Sequence, residues 1–482
     1  MLIDAAEQPS SPARLADNLR LQQQVDALTV QVADLQAQLV ALQAQLAAAL
    51  AEVEGLRRRN ARQAAPFSTG KRKQDPQKPG RKPGQGRFTG RKAPAAETFT
   101  DQIAVPAPEG GCPQCGGFLE QVGTETVTRT DLPPPPPPPV TAYAIPICRC
   151  QQCGGTVRGQ HPDVPADQRG ATAHRVGAEV YACAHWLHYG LGVPVRKVPQ
   201  ILWQLRGVKI TQSALTQAAL RQAAGPVGQA YTDLREAVRT RPQVHTDDTG
   251  WKVGGATAHL MGFETPQERV YQIRPQHRNE EVRELVPGDY AGILITDRGR
   301  SYDAQALAGV RQQKCLDHLD RSILKVLAGV QGEDRQLPEQ LRALFWTARH
   351  LWKTQQQGAT PDFGAECARL ETALGALLAL PTPPLHPENE KLRHGLAWQH
   401  ERGHLLRFLH VPGVEPTNNR AERLLRPAVI ARKVSQCSKT ERGANAFSAF
   451  ASLFGSLALR GIEAVGGVLG VLRTGRLPEA PT

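Results

Sequence analysis

From Leu21 to Leu56 apolar residues recur at alternating steps of four and three: Leu21, Val25, Leu28, Val32, Leu35, Leu39, Leu42, Leu46, Ala49, Val53 and Leu56. This is a heptad seam, and it predicts a coiled coil over 15–58. With Val25 as position a, most d positions are Leu and Asn18 falls at an earlier a position, which suits two parallel strands in fixed register. An amphipathic helix packed on its own chain is the alternative; homo-oligomerisation is the expectation.

The periodicity then lapses and returns in other forms. Helical spacing up to Leu205, a turn at Gly207 and a second helix capped near Thr211 make a candidate helix-turn-helix inside a helical region over 170–235. After Pro242 the pattern turns strand-like in VHTDDTGWKV, TAHLMGFE and RVYQIR, followed by a polar helical stretch and GILITDRG. Three tightly joined strands, a helix and another strand resemble the opening of a ribonuclease H-like α/β sheet, expected over 240–435. Helical stretches carrying Trp346, Trp352 and Trp398 suggest an α-helical insertion at about 320–405. Its aromatics are expected to form its own core rather than a base-stacking platform. A helical tail over 436–482 completes a multidomain α/β chain.

Charge adds a partner class. The 482 residues carry a formal net charge of +13, which concentrates polyanions around the protein. Between Arg57 and Lys92 there are thirteen basic residues and one acid, Asp75, so +12 of the total sits in that stretch. Its low apolar content predicts a disordered arm over 59–98, with Lys71, Arg72, Lys73, Arg81, Lys82, Arg91 and Lys92 as candidate phosphate contacts. A solvated linker is the plainer alternative. The N-terminus has neither a basic n-region nor an apolar h-region, so a cytoplasmic location is expected. The apolar stretch from Ala444 to Leu459 is broken by Asn445 and three serines, so no membrane span is expected.

Nine cysteines in a reducing compartment point to metal rather than disulfides. Cys112-Pro-Gln-Cys115-Gly-Gly and Cys150-Gln-Gln-Cys153-Gly-Gly are paired knuckles whose thiolates suit one structural Zn²⁺, predicting a zinc ribbon over 99–160. Cys148 is a substitute ligand for Cys150 by position. Pro133 to Pro139 should form a stiff polyproline segment between the knuckles.

Acidic residues stand where ligands of open α/β sheets bind. Asp247 and Asp248 interrupt the first strand, and Asp297 ends Ile293-Leu294-Ile295. Two Mg²⁺ ions would need a third acid, and Glu422 in PTNNRAERLLRP is the candidate. With Asn419 as N-cap, Glu422 would instead complete a capping box; spacing leaves both readings open.

The set HTDDTGW, LITDRG, KCLDH and EPTNNRAERLLRP followed by Ala431-Arg432-Lys433 resembles the IS66-type transposases, DDE enzymes of bacterial insertion sequences. The order of coil, paired knuckles and acidic motifs extends the likeness over nearly the whole chain. It implies Asp247, Asp297 and Glu422 as the catalytic acids, holding Mg²⁺ or Mn²⁺. Neighbouring strand residues face opposite sides, so Asp247 and Asp248 cannot both enter the site, and the family commonly has Glu at the second position. His318, where the family has a similar Cys and His, could meet phosphate or make a core hydrogen bond. Arg426, Arg432, Lys433 and Arg442 form a sparse basic series suited to phosphates beside the cut.

The implied reaction is cleavage of double-stranded DNA at element ends and strand transfer into a target, aided by accessory proteins of the same element. Two alternatives are weighed against it: a non-catalytic zinc-ribbon DNA-binding regulator, and a structure-specific nuclease without strand transfer.

Overall fold

A mixed five-stranded sheet organises the protein in a computed structural model that describes residues 92–164, 174–358, 361–379 and 386–480, with helical positions scattered through 20–50. The chain divides into two units, Met1–Ser68 and Thr69–Thr482. In the first, the described seam residues from Leu21 to Leu46 are all more than half exposed. Residues 59–91 of the basic arm lie outside the described residues, and with them Lys71, Arg72, Lys73, Arg81, Lys82 and Arg91; Lys92 is described and exposed.

The second unit begins with a two-stranded antiparallel ladder, β1 (Ile147–Arg149) and β2 (Thr156–Arg158). Four helices follow: α1 (Ala178–His185), α2 (Val198–Arg206), α3 (Gln212–Ala223) and α4 (Pro226–Thr240). Gly207 closes α2 in the left-handed conformation at φ 65°, and the Thr211 hydroxyl caps α3 by accepting the Ala214 N–H.

The sheet comprises β3 (Gln243–Val253), β4 (Ala256–Glu264), β5 (Arg269–Arg274), β6 (Ile293–Thr296) and β7 (Arg311–Lys314), with a short α5 (Asn279–Arg283) between β5 and β6. Its order is β5-β4-β3-β6-β7. The first three strands are antiparallel, whereas β6 and β7 run parallel to β3. Alternation sorts the side chains onto two faces. Val244, Met261, Phe263, Val270 and Leu294 pack with Leu234 and Val238 of α4. Trp251, Leu260, Tyr271 and Ile273 face the opposite way, together with Ile293 and Ile295.

That second face is covered by segments far along the chain. After β7 come α6 (Leu316–Leu327), α7 (Gln336–Gln357), α8 (Phe363–Ala379), α9 (Pro387–Glu401) and α10 (Arg407–His410), which share one core with Ile293 and Ile295. Next, α11 (Asn419–Ser435) lays Leu424, Leu425 and Ala428 on Trp251 and Leu260. The final pair, α12 (Glu441–Leu459) and α13 (Ala464–Thr474), differs from the expected tail, because α12 closes the free edge of the sheet. Ser452 Oγ accepts the Tyr271 N–H at 2.8 Å and Ser456 Oγ accepts the Arg269 N–H at 2.9 Å. The serines that interrupt this apolar helix thus satisfy an edge strand that would otherwise invite pairing. Among the described residues no helix is long and apolar enough to cross a membrane.

Candidate functional site

Strand register brings two acids to the same level. The last parallel pair of β3 and β6 joins His245 to Ile295, and two residues further along each strand lie Asp247 and Asp297. Asp297 is held at the strand end by its own loop, Oδ1 accepting the Gly299 N–H at 2.8 Å. Asp247 lies opposite Gly262 of β4. A Cβ at Gly262 would stand 2.6 Å from Leu424 Cδ2, so the glycine is what lets α11 approach β4 this closely.

The start of α11 is sewn to β3 and to the end of β7 by Asn418. Its Nδ2 donates to the Thr246 carbonyl at 2.7 Å, Oδ1 lies 3.3 Å from His245 Nδ1, and its N–H donates to Cys315 Sγ at 3.1 Å. The Leu316 N–H adds a bond to the Pro416 carbonyl. The N-cap is therefore Asn418 rather than Asn419, and its side chain makes no cap bond because it is spent on β3. Glu422 consequently lies past the capping-box position, and its Oε1 is 3.3 Å from Arg321 Nη2 of α6.

The three acids share a field. Burial, followed by the charges of Asp297, Asp248 and Glu422, pushes Asp247 up to about 7, against the opposing bond from the Asp248 N–H. They do not form a tight cluster. Among the described residues, the group of metal-ligating side chains whose donor atoms lie within 4.8 Å of one another is Asp248, His259 and His277.

Asp248 is turned to that pair, with His259 Nδ1 at 2.9 Å and His277 Nδ1 at 3.1 Å from its two oxygens. Burial alone would raise its pKa; the two histidine bonds more than reverse this and hold the carboxyl well below its usual range. For His277, burial works against the proton and Asp248 outweighs it, raising the imidazole above its ordinary value. Two imidazoles and a carboxylate are also a donor set that suits Zn²⁺ or Mn²⁺. Neither histidine stands out in the sequence; the available signal was a polar residue on β4 diagonal to Asp248.

His318 does not make a core hydrogen bond through Nδ1, which is buried without a partner, and burial followed by Arg321 lowers its affinity for a proton. Arg426 and Lys433 are exposed. Arg432 instead pins α11 to β3, donating to Thr249 Oγ1 at 3.1 Å and to the Gly250 carbonyl.

In the ladder region both knuckles fold alike. The Cys112 N–H donates to the Gly117 carbonyl and the Gly116 N–H returns to Cys112; Cys150, Gly154 and Gly155 repeat the pattern. Gly116 and Gly154 take left-handed φ of 75° and 69°. Within each knuckle the neighbouring N–H groups and the second thiol lower the first thiol, Cys112 or Cys150. Cys112 and Cys115 are not gathered with Cys150 and Cys153 into one four-sulfur cluster.

A family model described as the IS66 family of transposases matches residues 174–446, more than half of the chain. No curated protein matches it.

Proposed function

The chain belongs to the IS66 transposase family, and from that premise we propose that it cleaves and joins DNA at the ends of an insertion sequence through Asp247, Asp297 and Glu422. The observation that carries this reading is Asp247, whose proton affinity rises under burial and the joint charge of Asp297, Asp248 and Glu422. A carboxylate raised in this way fits a divalent cation, because a positive charge at that point would relieve the repulsion that now holds the proton. The sheet order, with three antiparallel strands extended by two parallel ones, supports the ribonuclease H-like reading.

Asp247, Asp297 and Glu422 would hold Mg²⁺ or Mn²⁺, hard ions that favour oxygen donors. When bound, such ions supply an activated water and stabilisation of the departing 3′ oxygen. The chain's own residues prepare that site. Asn418 fixes the stretch of β3 beside Asp247, and Arg321 neutralises Glu422 until a metal competes for it. His259 and His277 keep Asp248 engaged away from Asp247.

The rest of the chain fits a DNA-handling assembly. We assign the seam of 15–58 to homo-oligomerisation, since cleavage at paired ends needs two active sites and the described apolar residues of the seam are exposed. Double-stranded DNA would be gripped by the arm of 59–98 and by Arg426 and Lys433. Cys112, Cys115, Cys150 and Cys153 would take Zn²⁺, with closure of the two knuckles onto one ion. The helical region 170–235 would lie between the ribbon and the catalytic part, and accessory proteins of the element would act with the chain in the bacterial cytoplasm.

Substituting Asp297→Asn and Glu422→Gln in a cell-based transposition assay tests the reading, with the folded state of each variant followed by circular dichroism. Loss of transposition with fold retained is expected. Unchanged transposition would leave a DNA-binding regulator in place of the enzyme.

A further inference from the structure

The insertion helix α7 carries an unexpected surface. Its buried face is Leu337, Leu341, Leu344, Phe345 and Ala348, yet Trp346, one position off that face, is 67% exposed. The other two insertion tryptophans behave as expected of a domain's own packing. Trp352 joins the core, and Trp398 is half-buried with the Arg402 guanidinium 3.8 Å from its ring centre. An exposed tryptophan is a large apolar area left in water, and it becomes informative where other aromatic and cationic groups join it in one patch.

Its surroundings identify the partner's chemistry. His350 lies one turn on with its ring parallel to the indole, the planes 1° apart. Arg342, Arg349 and Lys353 fall at helical steps of four and three on either side of Trp346, so aromatic and cationic groups share one stripe about 16 Å long. Arg342 is paired with Asp320 and Arg349 with Asp317, but these pairs are partly exposed and readily exchanged for phosphate. Trp346, Arg349 and Lys353 line a cleft of about 610 Å³ whose far wall is Glu415, Pro416 and Thr417. That wall leads directly into Asn418 and then the helix of Glu422. The cleft therefore borders the segment that leads into the Glu422 helix.

We propose that Trp346 and His350 stack an unpaired DNA base beside the cut, while Lys353 and Arg349 hold the adjoining phosphates. Bases inside a duplex cannot offer a face to a protein ring, so the substrate feature recognised is a strand with an extruded or single-stranded nucleotide. This rests on the DNA reading above and adds to it a subsite and a substrate geometry.

Fluorescence anisotropy of the full-length protein tests it, using a fluorescein-labelled blunt duplex and the same duplex with a single-stranded thymidine tail. Trp346→Ala should weaken binding of the tailed duplex about tenfold or more, leave the blunt duplex within about twofold, and be largely rescued by Trp346→Phe. Lys353→Gln should weaken binding to the tailed duplex and reduce its salt slope by about one. Equal loss on both duplexes, or no loss on the tailed one, overturns the proposal. A sedimentation change in Trp346→Ala with DNA binding intact also overturns it and assigns the stripe to a second copy of the chain. If the wild-type protein binds neither duplex, the DNA reading itself fails; if it binds both and Trp346 is dispensable, only this inference fails.

Discussion

Replacing Asp247 by asparagine probes the electrostatics of the site directly. The carboxyl ionises at about 7 in the folded protein against an ordinary value of 3.8, first through burial and then through Asp297, Asp248 and Glu422. Between those two values the unfolded chain gives up a proton that the folded chain keeps. Stability from this group is thus complete below about pH 4, falls as the pH rises, and levels off once the folded group has ionised above about pH 7. The whole span is worth roughly 4 kcal/mol at most. Asparagine has the same shape and keeps the oxygen that accepts the Asp248 N–H, so it removes the charge and little else. In metal-free buffer Asp247→Asn should match wild type near about pH 4 and exceed it by roughly 2–4 kcal/mol near about pH 8. Mg²⁺ should stabilise wild type by mass action and narrow that gap. Urea unfolding followed by circular dichroism across this range, with chelator and with Mg²⁺, measures both effects. A difference that does not change with pH, or a variant less stable than wild type at the alkaline end, would refute the claim that the acids strain one another.

Other parts of the site make separate predictions. Asn418→Ala removes the bond to the Thr246 carbonyl and the partner of His245, and should cost roughly 2–3 kcal/mol in urea unfolding. Lys314 is wholly buried, with Nζ 2.8 Å from both Asp303 and Gln312; Lys314→Met should destabilise by roughly 3–5 kcal/mol, and adding Asp303→Asn should recover much of the loss. Asp248→Asn strips His277 of the carboxylate that raises it. Its stabilising share is fully present below the histidine's ordinary 6.5 and fades as the pH rises through the raised value, so the variant's deficit should shrink on moving to alkaline pH in thermal melts. Deleting the basic arm should flatten the salt dependence of DNA affinity by a slope of about seven if some eight cations meet phosphates; an unaltered slope would make the arm a linker.

Some of this was legible from sequence and some was not, for physical reasons. Asp297 stands at the end of an apolar strand and Asp247 interrupts another, and both placements follow from local alternation. Glu422 was ambiguous because two readings of one helix start compete, and the choice depends on what Asn418 does. That residue is spent on a strand far away in sequence. Arg321, which meets Glu422, lies 101 residues from it and carries no local signal. Trp346 differs from the expected core residue because helical phase decides its side: Leu337, Leu341, Leu344 and Ala348 put it off the buried face. The serines of α12 break the apolar run, yet Ser448, Ser452 and Ser456 at steps of four mark a polar stripe.

The acids therefore depend on two kinds of order. Asp247 and Asp297 are aligned by the pairing of adjacent strands, which persists as long as the sheet does. Glu422 arrives by docking: Gly262 admits the leucines of α11, Asn418 anchors the helix start, and Arg432 pins its later turns to β3. Each of these is a long-range contact, so they share the fate of the α11 interface rather than that of the sheet. Loosening that interface would remove the third acid while leaving the first two aligned, and it would also relieve part of the charge that raises Asp247. The proton affinity of Asp247 is accordingly a reporter on whether α11 is seated, and a fall in that affinity without loss of the sheet would mark a chain that has kept its fold and lost its site.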